Sequence, residues 1–227
     1  MAPIAAAIPQ SRPASALVVG VISTGAMATA QAKLFASQGF NVIIGSRDPG
    51  KAKASAAQIG PRARGGSHIE AIRESDVIFV TIMPGQVVRS FLEANRAALA
   101  GKMLVDPSAS YYYESEFHPL PPHESSTTWN KEILGDAGVS WAATFKSMGT
   151  DSVSRNNKQP IEVCGDEPAK TAVMQMLEIC GWEPLDCGSV DDTPFIEPRG
   201  PKRRKHPRIV EYDATHAMDK NAIIDPP

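Results

Sequence analysis

The chain has 227 residues, 42% of them hydrophobic, and a net charge of −2 at neutral pH. That length suits one substantial α/β domain with a real core, and the near-neutral balance excludes a global attraction to nucleic acid or to an anionic membrane. No run approaches the ~18 consecutive apolar residues of a membrane-spanning helix.

Residues 1–16 (MAPIAAAIPQSRPASA) are Ala/Pro-rich. Their apolar part is too short and too proline-broken for a secretory signal, so the segment reads as a disordered leader, with an organelle-targeting leader as the other reading. Leu17 to Ile22 is an apolar run that meets a small-residue turn, Ser23-Thr24-Gly25-Ala26. A helical pattern follows with Ala30, Leu34 and Phe35 on one face; Gly39 closes it, and Val42 to Ile44 leads into Gly45-Ser46-Arg47. Strand, tight turn, helix and strand within about 30 residues is the size of a dinucleotide-binding βαβ unit.

Asp48-Pro49-Gly50 opens an Ala/Lys-rich helix to about Ile59. A weak third strand is expected near Ala63, and Ser67 with Glu70 reads as a capping box for a short helix through Ile72. Asp76 to Ile82 is continuously apolar after its first residue, as in a strand buried on both faces, and ends at Met83-Pro84-Gly85. Gln86 to Ala98 reads as a helix and Lys102 to Asp106 as another buried strand. The alternation predicts a doubly wound, mostly parallel sheet of the NAD(P)-binding Rossmann type. Tyr111-Tyr112-Tyr113 and His118 to Ser126 read as a long loop, Glu132 to Ala137 as a helical turn, Val139 to Phe145 as a strand and Met148 to Gln159 as a loop. A strand at Pro160 to Cys164, a helix burying Val173, Met176, Leu177 and Cys180, and a last strand from Trp182 to Cys187 complete a domain drawn at residues 17–197. Residues 198–227 read as a basic, flexible tail: positions 199–208 hold six Arg or Lys and no acid.

A dinucleotide pyrophosphate needs backbone N–H groups at a helix N-terminus with no side chains in the way. The positions of the ideal G-x-G-x-x-G pattern are here Ser23, Gly25 and Ala28. The central glycine is kept, the serine hydroxyl can donate to a phosphate, and alanine still permits close helix–strand packing. NAD-preferring sites place an acid at the end of the second strand for the ribose 2′-OH. This chain has Ser46 and Arg47 there, with Lys51 near by. A guanidinium and a hydroxyl grip a 2′-phosphate that a carboxylate would repel, so the residues point to NADP(H). The bland alternative is an exposed Arg47 paired with Asp48. Met83-Pro84-Gly85 either underlies a nicotinamide ribose or is an ordinary strand-to-helix turn, and Asp106-Pro107-Ser108 ends at the same carboxyl edge.

No acid–base set stands out. His68, His118, His123, His206 and His216 are scattered, and none has metal-ligand spacing with Cys164, Cys180 or Cys187. Those cysteines read as reduced core residues of a cytosolic chain. Neither a catalytic nor a metal-ligating residue is therefore expected. Hydride transfer from a nicotinamide to a flavin-like ring needs two placed rings rather than a protein nucleophile.

The turn VGVISTGAMA, the strand end VIIGSRDPGKA, the strand GKMLVD and above all PIEVCGDEPAKTAVMQMLEICGWEPLDCGSVDDTPFIE run in the same order as in a known family. From about Leu17 to Pro198 the chain resembles the deazaflavin (coenzyme F-420)-dependent NADP oxidoreductases and the cytosolic oxidoreductase domain of the STEAP metalloreductases. The resemblance implies a Rossmann domain that binds NADP(H) and passes hydride to a flavin (FAD or FMN) or to coenzyme F-420, with ferric or cupric ions reduced downstream in the membrane-bound relatives. It carries Ser23, Thr24, Gly25, Ala26 and Met27 onto the pyrophosphate loop, Ser46 and Arg47 onto the 2′-phosphate grip, and Met83, Pro84 and Val87 onto the nicotinamide-side loop. Three positions depart: Ala26 replaces an acid, Ser108-Ala109 replaces Ser-Asn, and Phe145-Lys146 replaces Phe-Asn.

The expectation is thus a soluble, cytoplasmic NADPH-dependent oxidoreductase with a flavin-like acceptor, able to form a homodimer. Two alternatives stay open: a non-catalytic NADP(H)-binding module that has lost its acceptor site, motivated by Ala109 and Lys146, and a nuclear address in Pro201 to Lys205. A reductase of small imines or carbonyls would need a helical dimerisation domain that residues 199–227 are too short and polar to supply.

Overall fold

A computed structural model describes residues 16–83, 85–109, 125–155, 159–198 and 200–216. The leader, Pro84, the tyrosine-rich loop and the last eleven residues lie outside the described residues.

The strands are β1 (Val18–Ile22), β2 (Asn41–Ser46), β3 (Ala63–Ser67), β4 (Val77–Phe79), β5 (Met103–Asp106), β6 (Ser140–Ala143), β7 (Pro160–Gly165) and β8 (Glu183–Asp186). They form one sheet in the order β3-β2-β1-β4-β5-β6-β7-β8. β1 to β6 run parallel; β7 is antiparallel to β6, and β8 runs with β7. The central strands are buried on both faces, as their continuous apolar runs require. Helices α1 (Ala26–Ser37), α2 (Pro49–Ala57), α6 (Thr150–Arg155) and α7 (Ala169–Ile179) put Leu34, Phe35, Ala52, Val153 and Leu177 into the core on one face. Helices α3 (His68–Glu74), α4 (Gly85–Leu99) and α5 (Ser126–Leu134) put Ile72, Leu92 and Leu134 into the core on the other.

Two glycines are needed for close approach. A Cβ on Gly65 would lie 2.1 Å from backbone atoms of α2, so only glycine lets β3 pack against that helix. A Cβ on Gly165 would lie 2.6 Å from the Trp141 carbonyl, so the β6–β7 reversal needs glycine at the centre of the Cys164-Gly165-Asp166 string.

Three expectations change. Residues 150–155, read as loop, are helix α6, packed against α1. The helical turn near Glu132 is the end of a nine-residue helix that starts earlier, at Ser126, on a Ser125 cap. Residues 200–216, read as flexible tail, fold back on the sheet. Helix α8 (Pro207–His216) buries Ile209, and Arg203 donates to Glu162 on β7 at 2.8 Å. Arg208 meets Glu183 of β8 at 2.8 and 3.0 Å, and the Arg204 guanidinium lies 4.7 Å from the centre of the Phe195 ring. The basic run is thereby engaged by the last two strands, because those strands carry the acids it pairs with. Among the described residues, no helix is long and apolar enough to cross a membrane.

Candidate cofactor groove

The carboxyl ends of β1, β4, β5 and β6 open into a groove of about 450 Å³. Ser23, Gly25, Ala26 and Met27 form one wall; Met83, Ala109, Phe145 and Lys146 are among the residues opposite. Among the described residues only two non-glycines have positive φ, Ser23 (134°) and Phe145 (62°), and both line this groove. Strained backbone of this kind persists where surrounding structure imposes it and clusters at functional sites.

At Ser23 the cause is visible. Its N–H donates to the Gly45 carbonyl at 2.9 Å, and its hydroxyl accepts from the Gly25 N–H at 3.1 Å, which turns the chain sharply out of β1. The fold demands a glycine-like conformation where a serine stands. Ser23→Gly is expected to raise stability by about 0.5–1 kcal/mol in chemical unfolding; no gain would show that the turn is unstrained.

Helix α1 then begins bare. Its N-cap is Gly25, with no side-chain cap and no acid in the first turn. By contrast Asp48, Ser67 and Ser125 cap α2, α3 and α5 through their side chains. The N–H groups that begin α1 therefore face a groove walled by small residues, and the helix dipole favours an anion there. This fits a pyrophosphate. Thr24 lies between these residues without lining the groove.

Ser46 and Arg47 sit apart from the groove, at the end of β2. The Ser46 hydroxyl accepts from the Asp48 N–H at 3.1 Å. Asp48 spends its carboxylate on α2, accepting from Gly50 at 2.9 Å and Lys51 at 3.2 Å. Arg47 is exposed and makes no ion pair among the described residues, so the bland reading of an Arg47–Asp48 pair does not hold. Lys51 is exposed on the first turn of α2, on the same corner. Met83 is 47% exposed on the groove rim. Val87 turns the other way, packing against the α3–α4 side of the core rather than lining the groove.

The far wall holds a charge cluster that the sequence reading did not assemble. Lys146 Nζ lies 3.0 Å from Glu197 Oε2 and 3.5 Å from Asp106 Oδ2, and all three side chains are at most 1% exposed. Lys146 also donates to the Ser108 carbonyl at 2.7 Å and to Ser126 Oγ at 2.6 Å. Asp106 accepts from the Ser108 N–H (2.9 Å), Thr127 Oγ1 (2.9 Å) and Asn130 Nδ2 (3.4 Å), with the Ser108 hydroxyl and Ser126 Oγ also in contact. Burial alone would push the Lys146 ammonium down; Asp106 and Glu197 outweigh it and hold it above the ordinary lysine value. Its three N–H groups are engaged by Glu197, the Ser108 carbonyl and Ser126 Oγ, which fixes the charge in the wall. Ala109 beside it is 2% exposed. The signal in the sequence was the polar run Ser125 to Asn130, of which Ser125, Ser126, Thr127 and Asn130 are buried.

The cysteines carry no chemistry here. Burial pushes the Cys180 and Cys187 thiols up to about 12 and raises Cys164 further.

Comparison with known proteins agrees with this geometry. Residues 18–110 match the model of the family described as NADP oxidoreductase, coenzyme F420-dependent. Metalloreductase STEAP3 of Rattus norvegicus is 28% identical over 187 residues, which is 82% of this chain and 36% of that protein. The chain thus spans about a third of the relative's length. Among solved structures, an Arthrobacter sp. protein assigned as an F420-dependent NADP-reductase shares the fold at a TM-score of 0.64 and 21% identity, over 77% of this chain and 86% of its own. An imine reductase of Bacillus cereus does so at 0.60 and 19%, over 88% and 60%. Residues 18–110 are thus similar to the coenzyme F420-dependent NADP oxidoreductase family, on a Rossmann sheet that continues through β8.

Proposed function

We propose that the groove binds NADP(H), with Gly25, Ala26 and Met27 around the pyrophosphate, Thr24 in the same turn, Ser46, Arg47 and Lys51 at the 2′-phosphate, and Met83 and Pro84 on the nicotinamide side. The observation that carries this reading is the bare N-terminus of α1, facing small residues at the carboxyl edge of the sheet, while neighbouring helices are capped. The bound dinucleotide would supply the hydride. The chain's own residues would orient it: α1 fixes the phosphates, and the strained Phe145 keeps Lys146 turned into the wall. The acceptor is a flavin (FAD or FMN) or deazaflavin ring, and the likeness to STEAP3 supports metal-ion reduction as a downstream step.

The second reading is an NADP(H)-binding module without an acceptor, favoured by the buried Ala109 and by the saturated Lys146 at the acceptor side. Stopped-flow oxidation of NADPH with deazaflavin, FMN and FAD offered in turn separates the two. The enzyme reading expects one acceptor to accelerate oxidation at least about a hundredfold over buffer. NADPH binding with no acceptor reduced would establish the module.

A further inference from the structure

A second group able to carry positive charge stands beside Arg47. In the β2–β3 register Ser46 pairs with Ser67, so the next residues, Arg47 and His68, leave the two strands side by side at the ligand-binding edge. The His68 ring is half-buried and held edge-on to Phe91 of α4, with centres 4.9 Å apart and planes at 85°. We propose that His68 is a proton-accepting contact of the adenosine 2′-phosphate, which sharpens the choice of NADPH over NADH as pH falls. This rests on the reading of Ser46-Arg47 as the 2′-phosphate grip.

The charges around His68 are few. From the β2–α2 corner comes Arg47, while the Asp48 carboxylate next to it is committed to capping α2. From α3 itself comes Glu70, whose carboxylate is turned to the Ser67 N–H (2.6 Å) and hydroxyl (2.7 Å). Lys53 of α2 and Arg64 of β3 act on Glu70. From α4 comes the uncharged Phe91. With no dinucleotide present, burial and then the Arg47 guanidinium push the His68 imidazole below its ordinary value, so it is neutral near pH 7. A 2′-phosphate seated on Arg47 reverses the balance. It offsets the guanidinium and adds up to two negative charges, favouring imidazolium and a charge-assisted hydrogen bond. NADH has no such phosphate, so it leaves His68 neutral. Below about pH 6 the phosphate's own protonation opposes the effect.

Calorimetry of the full chain with NADPH and NADH, in two buffers of different ionisation enthalpy at about pH 7.5, reads the proton directly. The wild type is expected to take up a fraction of a proton with NADPH and none with NADH, and its preference for NADPH to grow about three- to tenfold between about pH 8 and about pH 6.5. His68→Gln is expected to abolish the uptake and flatten that trend while leaving NADH affinity unchanged. An NMR titration of the wild-type imidazole gives an independent check: it should move up with NADPH and not with NADH. No uptake in the wild type, or equal uptake in His68→Gln, overturns the proposal while leaving the Arg47 assignment standing. A protein that binds both nucleotides equally at every pH overturns the 2′-phosphate reading and this proposal with it.

Discussion

Lys146→Met is expected to cost about 3–5 kcal/mol of folding stability in urea unfolding, the scale of breaking a buried charge pair. The lysine sits between two carboxylates that are essentially excluded from solvent. It also ties the carbonyl after β5 to the first residue of α5. Removing the ammonium leaves Asp106 and Glu197 buried with their shared counter-charge gone, and restores little, because methionine fills the space without donating. Adding Glu197→Gln to the variant should therefore recover part of the loss. The pH dependence has a definite sign. The folded-state value of Lys146 is raised, so its contribution is fully present below the ordinary lysine value near 10.4 and is lost as pH rises through the folded value. The gap between wild type and variant should stay constant from about pH 6 to about pH 9 and close in stronger alkali. A cost under about 1 kcal/mol would mean that the cluster is not held together by charge.

Sequence patterning revealed the central fold because its signals were local. Continuous apolar runs marked β1, β4 and β5, and the Ser67/Glu70 capping box marked the start of α3. The groove was half legible for the same reason: Ser23 to Met27 is one contiguous turn. The opposite wall was not, because Asp106, Ser126, Lys146 and Glu197 come from four segments and meet only in three dimensions. The basic run was misread for the converse reason. Charge and proline in series look solvated, and nothing local in PRGPKRRKHPR shows that Glu162 and Glu183 await it on β7 and β8. The string on which the resemblance rests most is largely structural. Gly165 admits the β6–β7 crossing, Asp166 lies 3.4 Å from Lys131, and Asp186 holds Lys170 at 3.0 Å and the Gly188 N–H at 2.9 Å. These residues lock the last strand pair onto the sheet, while the final residue of the string, Glu197, braces the groove wall through Lys146.

Arg47→Ala is expected to weaken NADPH binding by about 1.5–3 kcal/mol, the worth of hydrogen bonds to a charged group, and to leave NADH nearly unchanged. The expectation follows from what surrounds the guanidinium. Asp48, the carboxylate adjacent in sequence, is engaged by the N–H groups of Gly50 and Lys51 and makes no ion pair with Arg47. Arg47 is exposed, so the alanine variant should fold with unaltered stability, and the loss can be read as binding. Arg47→Lys should recover only part of it, because an ammonium keeps the charge but not the paired N–H geometry. Fluorescence titration of both nucleotides against the three proteins decides the point. A loss shared equally between NADPH and NADH would place Arg47 on the common part of the dinucleotide. A loss confined to NADPH that shrinks as salt rises would mark a screened contact to the one charged group the two cofactors do not share.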